Sequence, residues 1–145
     1  MTHTPQKPKN DAEFFETMSK IIFISGFRWE LVNSRWPKIR KAFHNFNINK
    51  VADENLENLM KKDGMIKNKS KINAIIENAK LCLEIIEGHG NMNDWIKSIQ
   101  KNNKKSPLFS PTVREEMKRF HKIGHTTSRW MAYVTTRDKK LLEHS

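Results

Sequence analysis

The chain has 145 residues, enough for one domain that buries its own core and too few for two of ordinary size. With 37% hydrophobic and 30% charged residues it is not a disordered chain. A formal net charge of +11 favours a polyanionic partner, either nucleic acid or an acidic membrane surface.

Residues 1–10 are polar, carry Pro5 and Pro8, and read as a loose tail ahead of a single domain over 11–145. From Asp11 the pattern turns helical. Phe14, Phe15, Met18, Ile21 and Ile22 recur at three- and four-residue spacing, and Gly26 interrupts them. A second helix is expected from Trp29 through Val32, with a break or restart at Trp36-Pro37 because proline disfavours helix in the residue before it. Asp53 reads as the N-cap of a short helix holding Leu56, Leu59 and Met60, ended by Gly64. Ser70 reads as the cap of the longest helix, about 71–87, with Ile72, Ile75, Ile76, Ala79, Leu83 and Ile86 in one stripe and Gly88 and Gly90 stopping it.

The stretch 91–111 is the least regular. Trp95, Ile96 and Ile99 suggest one or two turns, followed by a basic loop over 101–110. Thr112 with Glu115 forms a capping box for a helix through Phe120. A last helix is expected from Thr126 or Thr127, holding Trp130, Met131 and Val134, with a frayed end over 135–145. No strand pattern and no repeat is evident, so the reading is all-α.

Cys82 is the only cysteine, so no intramolecular disulfide forms. The N-terminus lacks a signal-like apolar stretch, and the longest apolar cluster, at 21–24, is too short to cross a bilayer. A cytoplasmic, nucleoid-associated protein without membrane contact is expected.

The segment 117–134 carries a candidate site. It reads as helix, tight turn, helix, with Gly124 letting the backbone turn and approach a partner. The N-terminus of the helix that follows leaves N–H groups free for phosphate. Lys118, Arg119, Lys122 and Arg129 surround the turn, and Gly124, His125, Thr126 and Thr127 lie at its tip. An ordinary corner in a basic protein is the competing reading of these residues taken alone.

Several blocks occur in order: Phe15-Glu16, Gly26-Phe27-Arg28-Trp29, Ala42-Phe43-His44-Asn45-Phe46 and Val51-Ala52. They are followed by Gly64-Met65-Ile66-Lys67-Asn68-Lys69-Ser70-Lys71-Ile72, Ala74-Ile75-Ile76-Glu77-Asn78-Ala79 and Gly124-His125-Thr126-Thr127. Together, over roughly 12–134, they resemble the DNA-3-methyladenine glycosylase I family, including its GIIR(N/H)RxKIxAIIxNA block and its GPTT hairpin. The resemblance implies a compact all-α domain of the helix-hairpin-helix DNA glycosylase type. It implies excision of alkylated, N3-methyladenine-like purines from double-stranded DNA by base flipping and N-glycosidic hydrolysis. It also implies a monofunctional enzyme, since no lysine stands where a Schiff-base nucleophile would.

By the same resemblance Trp29, in place of the GLSW tryptophan, stacks on the cationic base. Phe27 faces DNA and fills the gap left by the flipped nucleotide. Lys67, Lys69, Lys122, Gly124, His125, Thr126 and Thr127 bind DNA. The family's base-recognising carboxylate lies five residues before the glycine of that motif, where this chain has Ile21. Ile21 is therefore expected at the base, and Glu30, next to Trp29, is a weak substitute as a catalytic group because neighbours on a helix point about 100° apart. The family's zinc ligands have no counterpart, so no metal or other cofactor is expected. A monomer without a protein partner completes the reading. The alternative is a non-catalytic DNA-binding module that kept the fold, with Ile21 and other side chains filling the pocket.

Overall fold

The computed structural model describes residues 6–26 and 28–143 and is all-α: among these residues there is no strand. Eight α-helices run in order: α1 (Asp11–Ile24), α2 (Trp29–Ala42), α3 (Ile48–Ala52), α4 (Leu56–Met60), α5 (Lys69–His89), α6 (Met92–Lys105), α7 (Val113–Met117) and α8 (His125–Thr136). The long α5 is the spine: α3, α4, α6 and α1 pack on it, and α8 closes on α1 and α7.

Helix α1 starts where Asn10 accepts the N–H of Glu13 at 2.9 Å. Its apolar stripe is buried at Phe14, Phe15, Met18, Ile21 and Ile22. Of the expected loose tail, residues 1–5 lie outside the described part. Pro8 is buried, and the carbonyl of Lys9 accepts from Asn93 at 3.4 Å, so the described end of the tail lies on the domain.

The expected break at Pro37 does not occur. Helix α2 runs through it. Proline inside a helix costs about 3 kcal/mol. Here Pro37 and Asn33, whose carbonyl loses its donor, both lie on the exposed face of the helix. On the opposite side Val32, Trp36 and Ile39 stay in one buried stripe, and their burial outweighs the loss. The Trp36 indole donates to Glu16 at 2.8 Å, and Arg40 sits 3.4 Å from the same carboxylate.

Between α2 and α3, His44, Asn45 and Phe46 all have left-handed φ, 57°, 55° and 59°. Such residues cost of order 1–3 kcal/mol each. The turn throws the Phe46 ring between Trp36 and Phe43, stacked at 5.5 and 5.4 Å.

Other boundaries shift because asparagine side chains compete as caps. Asn55, not Asp53, caps α4, and Asp53 ends α3, a helix the pattern did not reveal. Asn68, not Ser70, caps α5, which continues through Gly88 and stops at Gly90 with φ +90°. Asn91 caps α6, so that 92–105 is helical where a short turn and a basic loop were expected. Thr112 and Glu115 form the expected capping box, but α7 ends at Met117 rather than Phe120. The expected frayed end is ordered through Leu142: Thr136 closes α8, a turn of 3-10 helix covers Lys139–Leu142, and Leu141 packs on the core.

Candidate functional site

An open cavity of about 350 Å³ lies between the end of α1 and the start of α8. Ile21, Ile24, Ser25 and Gly26 line one side; Thr126, Thr127 and Trp130 line the other. Two segments a hundred residues apart in sequence thus share one concavity. Ile21 is 7% exposed and forms part of its wall rather than filling it.

The hairpin beside the cavity is held from below. Phe120 and Ile123 are buried at its two ends. Between them the backbone of His121 is clamped by one side chain: its N–H donates to Asn78 Oδ1 at 2.7 Å, and its carbonyl accepts from Asn78 Nδ2 at 3.0 Å. Asn78 is fully buried, so these bonds are what satisfies it.

The turn differs from expectation in one residue. The left-handed position is Lys122, φ +64°, while Gly124 has φ −110°. What glycine supplies at 124 is room: a Cβ there would meet nothing within 4 Å, so that side of the chain faces outward and leaves space for a partner. The Gly124 N–H donates to Thr127 Oγ1 at 2.8 Å. The first turn of α8, at His125, Thr126 and Thr127, has no side-chain cap, which leaves its N–H groups directed outward at the positive end of the helix dipole. Arg114 of α7 braces this end by donating to the His125 carbonyl at 2.9 Å.

The loop after α1 is tied to α5. The Lys71 ammonium donates to the carbonyls of Phe23, at 3.2 Å, and of Ser25. Burial, then the nearby charge of Lys122, pushes its pKa below the ordinary lysine value. Gly26 turns this loop with φ +81°. Lys71 thus joins the Gly26 loop to the helix end that carries Lys67 and Lys69, both exposed, and lies close enough to the hairpin to feel Lys122.

Of the sequence-derived residues, Ile21, Gly26, Thr126 and Thr127 meet at the cavity, and Gly124 and His125 stand at the start of the same helix. Trp29 is half-buried at the first position of α2 and Glu30 is exposed beside it; neither is among the residues lining this cavity. The indole on its wall is that of Trp130. Phe27 lies outside the described residues. Trp130, Asn78 and Lys71 were not singled out for a role. Asn78 had a usable signal, since it sits in the apolar stripe of α5 between Ile75 and Cys82, where an amide must find buried partners. Among the described residues no group of three or more His, Cys, Asp or Glu is placed to hold a metal ion, and no helix is long and apolar enough to cross a membrane.

A helical domain with an outward-facing hairpin beside a concave pocket matches solved structures. A crystal structure of a 3-methyladenine DNA glycosylase I superposes with TM-score 0.70 at 22% identity, covering 90% of this chain and 80% of the other. The enzyme from Staphylococcus aureus, in a structure concerned with 3-methyladenine recognition, gives TM-score 0.72 at 17% identity, over 90% and 78%. These likenesses define the fold as the all-helical glycosylase type. The methyladenine glycosylase family model matches residues 4–131, and the chain belongs to that family. It is 30% identical over 96 residues to a DNA-3-methyladenine glycosylase of Haemophilus influenzae. That match takes in 63% of this chain and about half, 52%, of the relative's length.

Proposed function

We propose that the protein is a monofunctional DNA glycosylase that excises cationic, N3-methyladenine-like purines from double-stranded DNA. The observation that carries this reading is the open cavity between the end of α1 and the start of α8, directly beside an uncapped helix N-terminus. A cavity of this size accommodates a small ligand, and an uncapped helix start binds phosphate. The relatives named above are 3-methyladenine DNA glycosylases, which supports the same reading.

In this reading the N–H groups of 125–127 grip the DNA backbone, with Gly124 giving close approach and Lys122, Lys67 and Lys69 adding charge. The flipped base enters the cavity, against Ile21 on one side and Trp130 on the other. A cation over an indole face gains about 0.5–2 kcal/mol. Trp29 does not line the cavity, so Trp130 takes the stacking part expected of it, and Phe27 is proposed as the side chain that fills the vacated stack. An N3-alkylated adenine already carries positive charge. When its C1′–N9 bond breaks, the electron pair enters the ring and the base leaves neutral. Water bonds to C1′ and gives its proton to solvent. Catalysis then consists mostly of extrusion and placement. The protein works as a monomer in the cytoplasm on damaged DNA.

The test is release of methylated bases from duplex DNA treated with a methylating agent, by wild type and Trp130→Ala. Wild type is expected to release 3-methyladenine, and the variant to do so at least about tenfold more slowly, the loss of about 1.4 kcal/mol. Tight, salt-sensitive DNA binding with no base released would overturn the enzymatic reading.

A further inference from the structure

The lining of the cavity holds apolar groups, one indole and the hydroxyls of Ser25, Thr126 and Thr127, and among the described residues no Asp, Glu, His, Lys or Arg. Two consequences follow from chemistry alone. First, nothing on the wall is an acid able to protonate a departing base. A neutral base would leave as an anion, whereas a base with a fixed positive charge leaves neutral when the C1′–N bond breaks toward it. The pocket therefore suits purines that carry their charge by alkylation, whichever ring nitrogen bears the alkyl group.

Second, adenine and guanine differ in what they offer at the purine 6-position: an amine that donates, or a carbonyl that accepts. A carboxylate on the wall accepts only, and would favour the amine. A hydroxyl both donates and accepts, and turns to suit either. The Thr127 hydroxyl already accepts from the Gly124 N–H, which leaves its own proton to donate. Ile21 and Ile24 offer neither function, and an apolar wall rejects a near-isostere only weakly. The Lys71 ammonium, which reaches the Gly26 loop, is committed to the carbonyls of Phe23 and Ser25.

We infer that the cavity does not discriminate alkylated adenine from alkylated guanine, so that the protein releases N7-alkylguanine as well as N3-alkyladenine, with Ile21 setting this breadth. The inference rests on the reading of the cavity as the base pocket. For N7-methylguanine the step balances as before: the C1′–N9 bond breaks, its electron pair cancels the ring charge, water bonds to C1′, and one proton passes to solvent.

The experiment follows 3-methyladenine and 7-methylguanine release from the same methylated duplex, each corrected for spontaneous loss. It compares wild type, Ile21→Glu, Ile21→Gln and Thr126→Val, with folding checked by thermal melting. Wild type is expected to accelerate release of both bases by factors within about tenfold of one another. Ile21→Glu is expected to shift the ratio about tenfold or more toward 3-methyladenine, because a charge-assisted acceptor now faces the amine. Ile21→Gln, which can turn its amide either way, serves if the buried carboxylate prevents folding; it slows both bases without shifting the ratio. Thr126→Val, at an exposed position, should lower both rates together. Release of 3-methyladenine with 7-methylguanine at background in wild type would overturn the inference while leaving the glycosylase reading intact. Release of neither base would overturn both.

Discussion

Between α1 and α2 the Phe46 ring is stacked against Trp36 on one side and Phe43 on the other, while Phe23 meets both Trp36 and Phe43 edge-on at 6.1 and 6.3 Å. At the hairpin, by contrast, one amide, Asn78, bonds both backbone polar groups of His121, and the Gly26 loop is tied to α5 by one ammonium. The first region is held mainly by ring contacts, with the Trp36–Glu16 bond at its edge, and even absorbs a left-handed turn of bulky residues. The second is anchored in the core by Phe120 and Ile123, but at its tip and at the Gly26 loop a few directed bonds hold the backbone. A concave face left open has few side chains packed across it, so its shape depends on polar ties made from behind.

The largest effect that would break this contrast lies in the aromatic stack. Phe43→Ala, at a fully buried position, should cost about 3–5 kcal/mol in urea unfolding. A cost under 1 kcal/mol would mean the stack does not hold that half together. Next comes Asn78→Ala. Exposed His121 can turn to water, so the loss should be about 1–2 kcal/mol. It should instead appear locally, as faster amide exchange at 121–124 with α2 and α3 unchanged. Exchange rising uniformly across the chain would contradict the local role of the clamp.

Lys122→Gln should leave stability nearly unchanged and weaken duplex binding for all sequences alike. The slope of log affinity against log salt should become shallower by about 0.9. An unchanged slope would remove Lys122 from the phosphate contacts. The smallest effect concerns Glu54, which His44 Nε2 meets at 2.6 Å. Burial works against its charge, but bonds from the Asn55 N–H, His44 and the Asn58 amide outweigh it and hold its pKa below the ordinary value. Its contribution is therefore present above the ordinary glutamate range and lost as pH falls through the lowered folded-state value. Glu54→Gln should cost up to about 1 kcal/mol at pH 7 and nothing at pH 2. A cost that stays the same at both values would mean the charge of Glu54 is not what stabilises that corner.

The sequence made the two regions legible to different degrees. The stripes of α1 and α5 and the capping box at Thr112 were readable because burial imposes a helical period and the box needs fixed residues at fixed spacing. Pro37 misled because the cost of proline is local, while the stripe of Val32, Trp36 and Ile39 that overrides it is tertiary. Asparagine caps at 55, 68 and 91 were missed in an asparagine-rich chain where the residue type alone signals little. At the site, the ordered motifs located the Gly26 loop and the hairpin, and Ile21 falls where they meet. They did not reveal that Trp130 supplies the cavity's indole, because which face of α8 points at α1 depends on packing between segments remote in sequence.

If the base is held in the cavity between α1 and α8, Trp130 is the ring it meets there. The most direct measurement is single-turnover release of 3-methyladenine from a methylated duplex by wild type and Trp130→Ala, with duplex affinity measured on the same preparations. The account predicts a fall in release of about tenfold or more, the equivalent of about 1.4 kcal/mol of transition-state stabilisation, with affinity for undamaged duplex retained because the hairpin is intact. Full release by Trp130→Ala would show that the base is bound elsewhere, and would contradict the account.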